Sequence, residues 1–414
     1  MESEVPMKSI ISLTAILFPL LLTAQPGPEI TSWIINTTGQ TGYNGIQSNV
    51  QQVQYSTNNV YVTATCIPDY SIGPWASNPN TPVNQNFVFK ITRNPVQNTG
   101  NPVSTPLGHI GVWSNGVSVF NAKDGMSYNN QGIWFRDALV FEGISFDNCL
   151  GHPAPNGEYH HHVNPTCLYD DTDDTQHAPI IGYAFDGFPI YGAYGFDNVN
   201  GTGVFRKMQS SYQLRNITSR TTLPNGTVLQ PSQYGPAIGT QYPLGSFLED
   251  YEYVPGSGDL DEHNGRFCIT PEYPSGVYAY FVTIDASEDP VFPYVLGPTY
   301  YGTVQPGNTG PNSGHNTISE PVTNYLPGST GIIESNGYSD FNAFMTGNLL
   351  SVEINTVYQN GAALKLFDVS GRMVESKSDL VMGYHTFDVG HLYSGVYVVE
   401  LTGAGNRFIK KLMR

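Results

Sequence analysis

The chain has 414 residues, only 12% of them charged, with 44 Gly, 30 Pro, 27 Tyr and 20 Phe. Few charges, many aromatics and many turn formers point to a β-rich protein with long ordered loops, and argue against helical bundles and coiled coils. The net charge of −17 argues against nucleic acid or an anionic membrane surface as a partner.

In chain order, Met7-Lys8 supplies a positive start, Ile10 to Leu22 an apolar run and Thr23-Ala24 small residues before Gln25. This is the pattern of a secretory signal peptide over residues 1–24. No cysteine stands at the cleavage region, which argues against lipid anchoring there, and no other stretch is apolar enough to be a membrane-spanning segment. The expectation is an exported, soluble protein. Its four cysteines, Cys66, Cys149, Cys167 and Cys268, allow up to two disulfides in three connectivities. Cys149–Cys167 is favoured, because it would staple both ends of a histidine-rich segment. The absence of a C-x-x-C pair speaks against a thiolate metal site.

Residues 25 to about 105 read as strands and loops. Val50 to Tyr55 and Val60 to Thr65 are apolar and β-branched around Asn58-Asn59, the pattern of a hairpin. Asn86 to Thr92 is a further strand. Leu107 to Phe120 reads as a hairpin turning at Asn115-Gly116, in a type I′ geometry that needs positive φ at both positions. Gln131 to Phe146 is the one part of this region with a helical pattern, through Trp134, Ala138 and Phe141.

Cys149 to Gly192 holds five of the ten histidines: His152, His160, His161, His162 and His177. Pro153, Pro155 and Pro165 bracket the run and disfavour a helix. On an extended strand His160 and His162 share a face about 6–7 Å apart, and His161 takes the other. A same-face pair at that spacing can converge on one divalent cation. Asp186-Gly187 reads as a tight turn, in which Asp186 caps its own turn, ligates the metal, or supports a ligand histidine. The acidic run Asp170 to Asp174 lacks the Gly and distal Glu of a calcium loop and reads as a solvated loop. Glu158 and Glu262 are candidate general bases, and His263 a loop or supporting residue. No G-x-S-x-G, H-E-x-x-H or Gly-rich phosphate loop is present.

Residues 193 to 247 read as an insertion or long decorated loop, and Gly276 to Ile284 as a strand. Residues 303–332 are Gly, Pro, Asn, Ser and Thr rich, the composition of a flexible linker. Beyond it, Leu350 to Ile354, Ala363 to Val369, Tyr384 to Val389 and Gly395 to Leu401 read as short strands. Residues 333–414 carry seven basic and eight acidic residues, leaving ten and 26 for the rest. The acidity belongs to the main domain.

Two resemblances follow from these motifs. Gly108-His-Ile-Gly-Val-Trp-Ser-Asn-Gly-Val, Glu158-Tyr-His-His-His, His177 to Gly192 and Leu260-Asp-Glu-His-Asn-Gly-Arg-Phe resemble the YHYH domain family across 107 to about 302. His161 stands where the name-giving motif has its second Tyr. The resemblance implies a domain identity without a reaction. Leu366-Phe-Asp-Val-Ser-Gly-Arg, Leu392 to Leu401 and the Lys-Lys ending resemble the C-terminal sorting domain of type IX secretion. That resemblance implies an extracellular or surface-attached protein whose tail is read by the type IX secretion machinery.

The expected fold is mainly β: a β-sandwich-like main domain with long loops over 25–302, and a small C-terminal β-sandwich over 333–414. The expected site is a divalent metal ion, Zn or Cu favoured, on His160 and His162, completed from His152, His177 and Asp186. The corresponding function is a metal-binding protein acting as a metal-dependent enzyme on an extracellular small molecule or glycan. The alternative is a non-catalytic surface binding module whose histidines are structural.

Overall fold

Alternating apolar residues direct one face of each strand inward, and the turn residues between them set the register. The computed structural model describes residues 26–310, 313–327, 341–346, 348–354, 361–368, 371–393, 395–403 and 406–414. The signal-peptide reading of 1–24 lies outside them. The chain divides into two compact units after Pro327.

In the first unit two sheets are built from β1 (Val50–Tyr55), β2 (Asn59–Ala64), β3 (Phe87–Thr92), β4 (His109–Trp113), β5 (Ser118–Phe120), β6 (Gly151–Pro153), β7 (Tyr159–His161), β8 (Ile180–Ala184), β9 (Pro189–Tyr191), β10 (Gly265–Cys268), β11 (Val277–Phe281) and β12 (Thr323–Tyr325). One sheet has the order β12-β1-β2-β3, the other β10-β11-β9-β8-β4-β5-β7-β6. Val53, Val62 and Phe89 of the first join Val112, Val119 and Tyr183 of the second in one continuous core, the arrangement of a sandwich. The strands predicted at 50–65, 86–92 and 276–284 are present at these places.

The β4–β5 turn differs in detail from the type I′ expectation. Gly116 has φ +82°, but Asn115 does not share the left-handed conformation. Asn115 Oδ1 instead accepts the Val117 N–H at 3.1 Å. A Cβ on Gly116 would lie 2.5 Å from Ala64 Cβ, so glycine is needed there for close approach as well as for φ. The helical pattern at 131–146 shrinks to α1, a five-residue helix (Ala138–Glu142) capped by Asp137, whose side chain accepts the Leu139 N–H at 2.9 Å.

The flexible-linker expectation for 303–332 does not hold up to residue 327. Gln305 N–H donates to Phe185 O, Lys90 N–H to Asn308 Oδ1, and Val88 N–H to Gly314 O. Tyr325 pairs with Val53 in β12. Hydrogen bonds to both sheets order a composition that reads as a linker; residues 328–332 lie outside the described residues. The 193–247 segment carries only short strands, Tyr194–Phe196 paired with Phe205–Lys207 and Tyr212–Leu214 paired with Tyr251–Tyr253, and is held by a buried Arg220–Asp250 ion pair at 2.7 Å. Arg220 also donates to the carbonyls of Pro236, Tyr242 and Pro243.

The second unit contains a three-stranded sheet and a four-stranded sheet. The first comprises β13 (Phe341–Thr346), β14 (Leu349–Ile354) and, after two intervening strands, β17 (Gly383–Asp388). The second comprises β15 (Ala362–Asp368), β16 (Met373–Leu380), β18 (Val396–Gly403) and β19 (Asn406–Met413), in the order β16-β15-β18-β19. Leu350, Val352 and Ile354 pack with Leu364, Leu366, Val399 and Leu401 between the sheets, a small sandwich where short strands were predicted.

Candidate metal centre

The site is built at one edge of the eight-stranded sheet, where β6 and β7 are the last two strands. They run antiparallel with His152 directly opposite His160, and β7 also pairs in parallel with β5. Cross-strand pairing thus adds His152 to the face that alternation gives to His160 and His162. Gly151 makes the close strand approach possible: a Cβ there would lie 2.4 Å from Tyr159 Oη and 2.9 Å from His161 Nε2.

The three rings converge. One nitrogen of each of His152, His160 and His162 lies within 4.8 Å of the other two, and all three side chains are buried. His160 Nε2 and His162 Nε2 are 3.1 Å apart. The opposite nitrogens fix the tautomers. His160 Nδ1 is 3.0 Å from Glu158 O and His162 Nδ1 is 2.6 Å from Asn121 O. A carbonyl only accepts, so both Nδ1 atoms carry hydrogen. Ser145 Oγ donates its hydrogen to Glu142 O at 2.7 Å and therefore accepts from His152 Nδ1, also at 2.7 Å. The three rings then turn their Nε2 atoms toward one another, and His152 Nε2 has no hydrogen-bond partner.

Burial and the neighbouring histidines keep His152 and His160 neutral. Burial, then His162, pushes His152 down to about 4. Burial, then His152 and His162, holds His160 well below the usual imidazole range. Glu142, at the end of α1, places Oε2 3.3 Å from His162 Nε2 and 3.7 Å from His152 Nε2. Burial raises its pKa, but the hydrogen bond and charge of His162, and then His152, outweigh that and hold it low. The donor set of three imidazoles, with the Glu142 carboxylate beside it, fits a divalent transition metal. Tetrahedral ligands at about 2.0–2.1 Å from zinc would stand roughly 3.3 Å apart, close to the 3.1 Å between His160 and His162 Nε2.

A cleft of about 640 Å³ opens over the cluster, lined also by Asp124, Arg136, Phe141 and Met126. Burial pushes the Asp124 carboxyl up to about 6 against the hydrogen bond from Met126 N–H, with Glu142 adding to the rise. Arg136 lies over the Phe141 ring at 4.8 Å, with Nη1 3.9 Å from Asp124 Oδ2.

Of the five predicted ligands, the structure gathers His152, His160 and His162. His177 and Asp186 do not join them, which corrects the expectation. His177 packs against Tyr191 and Phe196 at 5.0 and 5.3 Å, with Nδ1 2.8 Å from Ala178 O. Asp186 caps its own turn, accepting from Phe188 N–H, and is drawn inward by Tyr280 Oη at 2.6 Å and Gly302 N at 2.8 Å. Its oxygens are committed to the hairpin and to the 302 segment. His161 is packed on the opposite side, against Tyr159 and Trp113. Glu158 is engaged by His109 at 2.8 Å, and Glu262 is exposed. The 170–174 loop closes its own turns through Thr172 and Thr175. Cys149–Cys167 is a disulfide, while Cys66 and Cys268 are free and buried.

Residues 88–292 match the family model described as YHYH protein, and 346–414 that of a secretion system C-terminal sorting domain. The chain carries a YHYH domain and a type IX sorting domain. All three converging histidines fall inside the YHYH domain. The sorting domain makes the YHYH chain a secreted or cell-surface protein. Among the described residues no helix is long and apolar enough to cross a membrane. No curated protein matches the chain. A solved Bacteroides vulgatus DUF3244 family protein with an immunoglobulin-like β-sandwich fold is similar over 18% of this chain and 83% of its own, at 16% identity and TM-score 0.17.

Proposed function

We propose that this exported YHYH protein binds one divalent transition metal, zinc or copper, through Nε2 of His152, His160 and His162. The observation that supports this reading is the convergence: three buried rings, each committed at Nδ1, turn Nε2 toward one point. Unprotonated Nε2 atoms 3.1 Å apart repel unless a proton or a metal cation lies between them. Three histidines with an open cleft resemble catalytic rather than closed structural zinc sites. The domain then acts as a metal-dependent enzyme on an extracellular small molecule or glycan. The ion would supply Lewis acidity toward a substrate oxygen or water. Glu142 is placed to take or return a proton beside His162, and Asp124 and Arg136 to orient a polar ligand. Residues 1–24 serve as the export signal, and the sorting domain engages the type IX machinery.

The test is elemental analysis of protein purified without a His-tag, as wild type and as His160→Ala plus His162→Ala. One transition metal per chain in the wild type and none in the variant is expected. Metal-free wild type that takes up neither Zn nor Cu, with unchanged thermal stability in chelator, refutes the metal reading and leaves a surface binding module.

A further inference from the structure

A second hollow adjoins the metal cleft. It measures about 460 Å³, and its walls include the rings of Tyr43 and Trp75 with Asn80 and Thr81 beside them. Asn78, Pro79 and Asn80 line both this hollow and the histidine cleft, so the two adjoin across one short segment. No charged side chain lines it.

The hollow is rigidly tied to the ligand strands. Tyr43 and Trp75 meet edge to face at 5.4 Å. Trp75 Nε1 donates to Asp147 Oδ2 at 3.1 Å, and Gly73 N–H reaches the same oxygen at 2.8 Å. Asp147 also accepts from Tyr159 Oη, next in sequence to His160. On the other wall, Asn78 and Asn80 both donate to Pro153 O, next to His152. Trp75 is half-buried, whereas Trp33, Trp113 and Trp134 are buried. Its ring therefore keeps an open surface despite being fixed at its nitrogen.

Fixed aromatic rings flanked by amide and hydroxyl groups suit a ligand with apolar C–H faces and a rim of neutral hydroxyls. The missing charge in the hollow and the acidity of the main domain disfavour an anionic one. We propose that the Tyr43–Trp75 hollow is a sugar-stacking subsite, and that the cleft takes a neutral oligosaccharide running from these rings to the histidine cluster. This deepens the reading above and rests on it only for what happens at the histidine end.

The test uses the secreted protein and six probes: cellohexaose, xylohexaose, mannohexaose, laminarihexaose, maltohexaose and chitohexaose. Because the other three tryptophans are buried, saturable change in tryptophan emission reports on Trp75. At least one hexaose is expected to bind, with affinity by calorimetry falling roughly tenfold in Tyr43→Ala and in Trp75→Ala. If loss of the Asp147 bond unfolds Trp75→Ala, Tyr43→Ala decides. Binding retained in His160→Ala plus His162→Ala, or by protein that holds no metal, supports the subsite independently of the metal. No saturable binding of any hexaose, or Tyr43→Ala binding as wild type, overturns it while leaving metal stoichiometry untouched.

Discussion

His161 separates the two faces of β7 in a way that can be measured. It is fully buried, and neither ring nitrogen has a hydrogen-bond partner. Burial dominates, opposed by Asp147 and reinforced by His162, and pushes its pKa down to about 4. The unfolded chain titrates this residue near 6.5. Between those values the folded chain binds fewer protons than the unfolded one. The neutral ring's contribution is therefore complete above pH 6.5 and lost as pH falls toward 4. At about 1.4 kcal/mol per pH unit, the loss amounts to about 3 kcal/mol. His161→Phe fills the same space without titrating and removes it. Buried Asp137 and Glu249, pushed up to about 7, act in the opposite sense, so only the difference between wild type and variant isolates His161. Urea unfolding followed by circular dichroism in chelator, at pH 7, 6, 5 and 4.5, gives that difference. It should shift by most of those 3 kcal/mol in favour of the variant at the acid end, with metal stoichiometry in chelator-free protein unchanged. A pH-independent difference, or loss of metal in His161→Phe, would refute the assignment of ligands to one face and packing to the other.

Glu142→Gln keeps the shape of the carboxyl beside the three histidines and removes its charge, so metal affinity measured against a chromophoric chelator should fall about 10–100-fold, with apo stability unchanged. Replacing both Cys149 and Cys167 by Ser opens a link across 18 residues; chain entropy predicts a loss of about 3 kcal/mol, read as a lower urea midpoint. Arg220→Met strands the Asp250 carboxylate in the interior, where both side chains are fully buried. It should cost about 3–5 kcal/mol by urea unfolding, more than any single exposed ion pair.

The β-rich class, the two sandwiches and the disulfide were legible because each rests on a local signal. Val53, Val60 and Val62 alternate or cluster at strand spacing, and Asn115-Gly116 marks a turn. What sequence spacing could not show is partnership across the chain. Residues 303–327 look like a linker because their order comes from hydrogen bonds to the distant residues Phe185, Lys90 and Val88, made by backbone and by the Asn308 and Asn316 side chains, which local composition does not reveal. The type I′ expectation failed at Asn115 because its side chain, not its φ, completes the turn.

At the histidine cluster the same division holds. Alternation found His160 and His162, and nearness in sequence found His152, but nearness also admitted His177 and Asp186, which later strands carry away. Glu142 left no signal beside the histidines, since it sits on a five-residue helix ahead of the cluster. The outer partners are equally scattered: Ser145 follows α1, Asn121 follows β5, and Glu158 O belongs to the strand's own entry. These three acceptors nevertheless shape the site, because each takes the Nδ1 hydrogen and so turns an Nε2 inward. Every Nδ1 points outward, and three Nε2 atoms meet beside the Glu142 carboxylate. Both features would stabilise a cation at the meeting point.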